Sequence, residues 1–250
     1  MSARRREIID LDRPAAWPTD LRRTLMTHHD ALQSREIGPL SDRFDAAIYE
    51  IVDALQPYSL VGWHCTRLAD PEVADIMANG VSLLDVGLVS RRVDAAVGTG
   101  LLASDHGARL KAKNQAAEQN RAGKLWFCFF RPAIAGESGI GDLLRFWGGE
   151  AVYNSHDRDD EIGPIIAAIG SPAIVEAEVP IAWLGDRGLG LALNVGRRFV
   201  VAEGTPSQEP LHIECNIKQA LPAELIRNVH LHPSAEFQHL TGCGDWHRPL

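Results

Sequence analysis

SLVGWHCTRL, Ser59–Leu68, alternates between two sets of side chains, with Val61, Trp63 and Cys65 on one side and Gly62, His64 and Thr66 on the other. A strand that sets a histidine and a hydroxyl against an apolar opposite face predicts a sheet bordering a cleft. A helix signal comes at once: Asp70-Pro71 opens a helix over Glu72–Ala78, and Asn79-Gly80 supplies a left-handed cap. Near the other end of the chain, LHIECNIKQALPAELI over Leu211–Ile226 repeats the strand pattern, with Ile213, Cys215 and Ile217 opposing His212, Glu214 and Asn216. If the two strands share a sheet, His64, Thr66 and Glu214 line the same cavity.

Between these strands, LWFCFF (Leu125–Phe130) is an unbroken apolar run bounded by Gly123-Lys124 and Arg131-Pro132, the pattern of a central strand buried on both faces. Further strands are expected over Ala173–Trp183, Arg198–Ala202 and Ile226–Leu231, the last preceded by a turn at Leu221-Pro222-Ala223-Glu224 and succeeded by a loose tail. Helical spacing marks Asp20–Asp30 and Asp42–Leu55, with Asp20 and Ser41 as N-caps and Gly38-Pro39 as the break between them. Val86–Gly123 reads as glycine-punctuated turns and then a polar helix from Ser104 to about Asn120. Ser138–Asn154 reads as a loop and helix carrying Phe146, Trp147, Glu150 and Tyr153, and Asp160–Ile169 as another short helix. Gly148-Gly149 weakens the former by roughly 1 kcal/mol per glycine, so the pair points to a close backbone approach. Helices come early and strands late, without βα alternation. The expectation is an α+β fold with a mixed or split sheet, a helical preface over residues 1–57 and the main domain over 58–250.

The formal charge of −8 gives the surface as a whole no electrostatic footprint for nucleic acid. Cys65, Cys128, Cys215 and Cys243 are scattered without a C-x-x-C pair, which argues against a zinc ribbon or redox dithiol and fits a reducing compartment. His230, His232 and His247 with Cys243 are read as an incidental grouping, so no metal is expected. No apolar run approaches the length of a membrane span, and the basic start MSARRR has no apolar segment behind it. A cytoplasmic protein without membrane contact is expected. Neither G-x-G-x-x-G nor a P-loop is present, so Rossmann and P-loop nucleotide sites are unsupported.

The order of these elements resembles the ADP-ribosyltransferase superfamily, in the branch containing PARPs and DarT-like bacterial toxins, across roughly Tyr58 to His232. The matching segments are GWHCTRLADPEVADIMANGV, LWFCFF, LLRFWGGEAVY, AIVEAEVPI and HIECNIKQALPAELIRNVHLH. The resemblance implies a split, largely antiparallel sheet and NAD as substrate. His64 would bond a ribose hydroxyl, Thr66 would lie near the nicotinamide amide, and Arg67 would hold a pyrophosphate oxygen. Phe127 or Phe129 would take the middle aromatic position, which is tyrosine in many relatives, and Trp147 would stack on the nicotinamide ring. Glu214 would be the catalytic carboxylate, with Glu150 of WGGEAVY as its rival.

The activity that the resemblance implies is that of a mono-ADP-ribosyltransferase, which cleaves the nicotinamide N-glycosidic bond. The acceptor is left open among protein, DNA, RNA, a small molecule and water. A role as a toxin or phage-defence effector, with an antitoxin protein as partner, is implied one step further out. The alternatives are RNA 2'-phosphotransferase chemistry, NAD glycohydrolysis, or a degenerate binding module of the same fold.

Overall fold

The computed structural model describes residues 6–33, 42–185, 188–206 and 211–250. Its strands are β1 (Ile8–Ile9), β2 (Ser59–Leu68), β3 (Leu125–Cys128), β4 (Ser171–Pro180), β5 (Glu214–Ile217) and β6 (Ile226–Leu231). They form one open sheet in the order β5-β3-β2-β4-β6, antiparallel throughout, with β1 added parallel to β2. The helices are α1 (Thr19–Thr27), α2 (His29–Gln33), α3 (Asp42–Leu55), α4 (Asp70–Asn79), α5 (Val86–Gly98), α6 (Ser104–Ala112), α7 (Gly136–Arg145), α8 (Glu150–His156), α9 (Ile162–Ala168), α10 (Leu189–Ala202) and α11 (Ala235–Thr241). The chain is thus α+β, with a mostly antiparallel six-stranded sheet and eleven helices among the described residues.

The ladders are unequal. β2 pairs with β4 over ten consecutive positions, from Ser59 opposite Pro180 to Leu68 opposite Ser171. β3 pairs with β5 over four, from Leu125 opposite Ile217 to Cys128 opposite Glu214. The register between β2 and β3 consists of one position, Trp63 opposite Cys128. One rung therefore joins a β2–β4–β6 panel to a β3–β5 panel.

The two faces of the sheet bury different partners. On one face Leu60, Phe127, Phe129, Val175 and Val179 share a core with Leu21 and Leu25 of α1, Ile51 and Leu55 of α3, and Val195 and Phe199 of α10. Complete burial of aliphatic and aromatic side chains of this kind contributes about 1.5–3 kcal/mol each before entropy is counted. On the other face Val61, Trp63, Cys65 and Ile174 pack under Ile140 and Leu144 of α7 and Phe237 and Leu240 of α11. A third cluster joins α5, α6, α8 and α9 around Trp147. Gly62 is the close-approach point of the first face: a Cβ there would stand 2.7 Å from Val179 Cγ2 and 3.0 Å from Phe127 Cδ1.

Several local expectations change. Arg198–Ala202 is the last turn of α10 rather than a strand, because the longer run places Leu191, Ala192, Val195, Phe199 and Val200 on one buried helical face. The lysine-rich helix stops at Ala112, since Lys113 is extended and the Asn114 side chain donates to the Leu110 and Lys111 carbonyls at 3.2 and 3.0 Å. The turns expected after Val86 are helix α5, capped by Asp85 through a 2.5 Å bond from the Leu88 amide. Ser138–Asn154 divides into α7 and α8, the Ala173–Trp183 strand ends at Pro180, and the tail contains α11, capped by Ser234. Asp20 lies inside the first turn of α1, where it accepts a 2.6 Å hydrogen bond from Tyr58 Oη instead of capping the helix. Ser41 and Gly38-Pro39 lie outside the described residues.

Candidate functional site

Continuation of the β2–β3 register beyond its single rung would place His64 opposite Phe127 and Cys65 opposite Trp126. The strands part instead, and the Trp126 carbonyl, which an unbroken ladder would satisfy, lies 2.9 Å from His64 Nδ1. A carbonyl only accepts, so Nδ1 carries the proton and Nε2 keeps a free lone pair in the neutral ring. Burial lowers the His64 pKa against the opposing effect of the Trp126 bond, and the Arg92 charge lowers it further. The imidazole and the Phe127 ring meet edge-to-face, with ring centroids 6.0 Å apart.

The parting of the strands opens a cavity of about 420 Å³, inside the roughly 300–1,000 Å³ range of small-molecule sites. His64, Thr66, Arg92, Phe127, Glu150 and Glu214 are among its lining residues. The register places Glu214 on the face of Cys128 and Trp63, opposite to the face of His64 and Phe127. Sheet alternation alone would separate the histidine from the glutamate. They reach one cavity because it sits in the gap between the panels, open to both faces.

Glu214 begins β5. Its Oε1 accepts a long 3.7 Å bond from Cys128 Sγ and lies 3.2 Å from His212 Nε2. The carboxylate is 41% exposed and its histidine partner 40%, so Glu214 stands at the mouth. Behind it, a hydrogen bond to Cys128 together with burial pushes the Cys65 thiol well above its ordinary range. Both effects favour the thiol over the nucleophilic thiolate at Cys65.

Glu150 reaches the same cavity by another route. It is the first residue of α8 and comes after Gly148 (φ 93°) and Gly149 (φ 66°), a left-handed pair that glycine adopts without strain. At Gly148 a Cβ would also stand 2.6 Å from Val152. Glu150 Oε2 lies 3.3 Å from Arg121 Nε, and the same guanidinium also binds Glu118.

Of the residues singled out in the sequence, Arg67, Phe129 and Trp147 lie outside the cavity lining. Arg67 donates to the Ile169 carbonyl at 2.8 Å and the Leu144 carbonyl at 3.3 Å, tying β2 to α7 and the C-terminal end of α9. Phe129 is 1% exposed in the main core. Trp147 is equally buried, and its indole donates to Glu72 Oε2 at 2.8 Å. Arg92, Arg121, Lys124 and the half-exposed Trp126 line the cavity without having been anticipated. Arg92 and Arg121 belong to stretches without strand alternation, and a lone cation in such a stretch carries no sequence signature.

Among the described residues no group of three or more His, Cys, Asp or Glu side chains is arranged to hold a metal, and His230 is hydrogen-bonded to Glu176 at 2.9 Å. No described helix is long and apolar enough to cross a membrane. No protein-family model, curated protein or solved structure matches the chain.

Proposed function

We propose that the chain is an NAD-dependent ADP-ribosyltransferase built on a split sheet of the kind its element order resembles. One observation carries this reading: a histidine with a free Nε2 and a carboxylate from the other panel line a single cavity where the sheet parts. In the proposed reaction the His64 Nε2 accepts a hydrogen bond from a ribose hydroxyl of NAD, and Thr66 lies on the same wall. Glu214 accepts from the 2'-hydroxyl of the nicotinamide ribose, and its charge stabilises the cation that develops at the anomeric carbon as the bond to nicotinamide breaks. Nicotinamide leaves with the bonding electron pair. The acceptor nucleophile then forms the new bond to that carbon and releases its proton.

Glu214 takes this role ahead of Glu150 for an electrostatic reason. Glu150 faces Arg121, whose guanidinium is charged at every accessible pH, whereas the partner of Glu214 is a histidine charged only when protonated. Among the described residues the Glu214 carboxylate therefore has no arginine or lysine within ion-pair distance to offset its charge in the transition state.

The test is nicotinamide release from labelled NAD by the full chain, with and without added protein, DNA and RNA. Glu214→Gln should lower release by about 10²-fold or more, the order associated with losing one preorganised electrostatic group, while Glu150→Gln should retain most of it. Loss confined to Glu150→Gln would transfer the catalytic role to that residue. Absence of both release and NAD binding would refute the reading. Release without a labelled acceptor would identify water as the acceptor.

A further inference from the structure

The family resemblance gives the anion-binding guanidinium to Arg67, but that side chain is directed at two backbone carbonyls outside the cavity. A different arginine reaches the cavity wall. Arg92 of α5 donates through Nε to Glu72 Oε1 at 2.5 Å, and its guanidinium carbon lies 4.8 Å from the centre of the Trp147 ring. Its one other hydrogen bond among the described residues is a long 3.4 Å contact from Nη2 to the Arg67 carbonyl. A guanidinium has five N–H donors in a planar fork, so most of its donor edge is uncommitted while its plane is held by a carboxylate and an aromatic face.

The other cations on the wall are differently engaged. Arg121 is held by Glu118 and Glu150, and Lys124 Nζ donates to the Asn120 carbonyl at 3.1 Å. Arg92 is also within electrostatic reach of His64, whose pKa its charge depresses. A fixed, partly free fork beside the histidine that would bind ribose has the geometry for an adjoining phosphate, because planar bidentate donation matches phosphate oxygens.

We propose that Arg92 is the phosphate-binding residue of the cavity, holding the diphosphate of an adenosine-diphosphate-containing ligand, with Glu72 and Trp147 as the groups that position it. This rests on the NAD reading above and assigns the part of the ligand that His64 and Glu214 do not touch. It also gives Glu72 a task beyond the fold, since removing its carboxylate would free the fork to turn.

Calorimetric titration of the full chain with ADP-ribose, ADP and adenosine tests the assignment, because the three probes differ in diphosphate and ribose content. Wild type should bind ADP-ribose and ADP more tightly than adenosine. In Arg92→Gln the affinity for both diphosphates should fall about tenfold or more while adenosine binding changes less than about twofold, as expected for loss of a charge-assisted fork. Arg92→Lys, which keeps the charge facing Glu72, should lose about threefold or more of the same ratio, and it serves as the test if the glutamine variant does not fold. A ratio of ADP to adenosine affinity that is unchanged in the folded variants would overturn the proposal and leave the NAD reading standing. Failure of wild type to bind any of the three would overturn both.

Discussion

Replacement of Glu72 by alanine removes one carboxylate from three structures at once. Its Oε2 accepts from the Ala69 amide that begins α4 and from the Trp147 indole, both at 2.8 Å, while Oε1 accepts from Arg92 Nε. Losing the contact at the helix start costs about 0.5–2 kcal/mol, by analogy with other N-terminal helix caps. Orphaning the indole N–H of a tryptophan that is 1% exposed costs about 1–3 kcal/mol. The side chains of Arg92 and Glu72 are 22% and 19% exposed, so their pair falls between the roughly 0.2–1 kcal/mol of an exposed pair and the 3–5 kcal/mol of breaking a buried one. These losses share a single group and do not add. Glu72→Ala should therefore destabilise by about 3–4 kcal/mol, or roughly 6–16 °C in Tm at about 2–4 °C per kcal/mol for a chain of this size.

Glu72→Gln keeps an acceptor oxygen and should lose about half as much. Urea unfolding monitored by tryptophan fluorescence gives both values, provided that the slope of the transition is unchanged between variants. The pH dependence supplies a second check. Burial acts to raise the Glu72 pKa, but the Arg92 charge and the bonds from Arg92, Ala69 and Trp147 outweigh it and hold the group below its ordinary 4.5. A depressed pKa means that its stabilisation is complete above the ordinary value and is lost as the pH falls through the native pKa. The gap between wild type and Glu72→Ala should consequently narrow below about pH 4.5. A loss under about 1 kcal/mol in Glu72→Ala, or equal losses in the alanine and glutamine variants, would refute the idea that this carboxylate joins α4, α5 and Trp147.

Gly62→Ala should destabilise by about 1–3 kcal/mol through overpacking, since its Cβ would meet Val179, Phe127 and Phe129 at 2.7–3.2 Å; a neutral result in thermal unfolding would mean that the two panels yield freely at this point. His64 has a native pKa below its ordinary 6.5, so the unfolded chain binds the extra proton first and stability should decline as the pH drops below that value. His64→Gln should flatten this part of the urea-midpoint profile, and an unchanged slope would show that other groups produce it.

The sheet strands were legible where the pattern was long. Ser59–Leu68 read directly from alternation, whereas the apolar run Leu125–Phe130 located β3 but overran it: the strand ends at Cys128, and Trp126 is exposed rather than buried. Arg198–Ala202 failed because five residues contain too little of a helical period; the stripe becomes visible only when the window reaches back to Leu191. The signals for α11, Ser234 before it and Gly242 after it, were in the sequence, but a short terminal segment gives little apolar periodicity to read. At the site, alternation identified His64, Thr66 and Glu214 as cleft candidates, and all three line the cavity. It could not show that Glu214 lies on the opposite sheet face, because that depends on the register of β3 with its two neighbours. Trp147 and Arg67 looked available for a ligand, yet the indole and the guanidinium are directed to Glu72 and to backbone carbonyls. Such partnerships join segments distant in the chain and leave no local trace.

The single rung between Trp63 and Cys128 makes the sheet work like a caliper. One jaw carries the imidazole and the other the carboxylate, and no continuous hydrogen-bond ladder sets the gauge between them. That gauge is fixed by side chains wedged at the pivot, Cys65 and Cys128 within the sheet and Ile140 and Leu144 above it. A change of one methyl group at Ile140 or Leu144 would therefore alter the span between His64 and Glu214 without replacing either residue or its direct partners. Tuning of the site is in this way separated from its chemistry, and it lies within reach of conservative substitutions in the core.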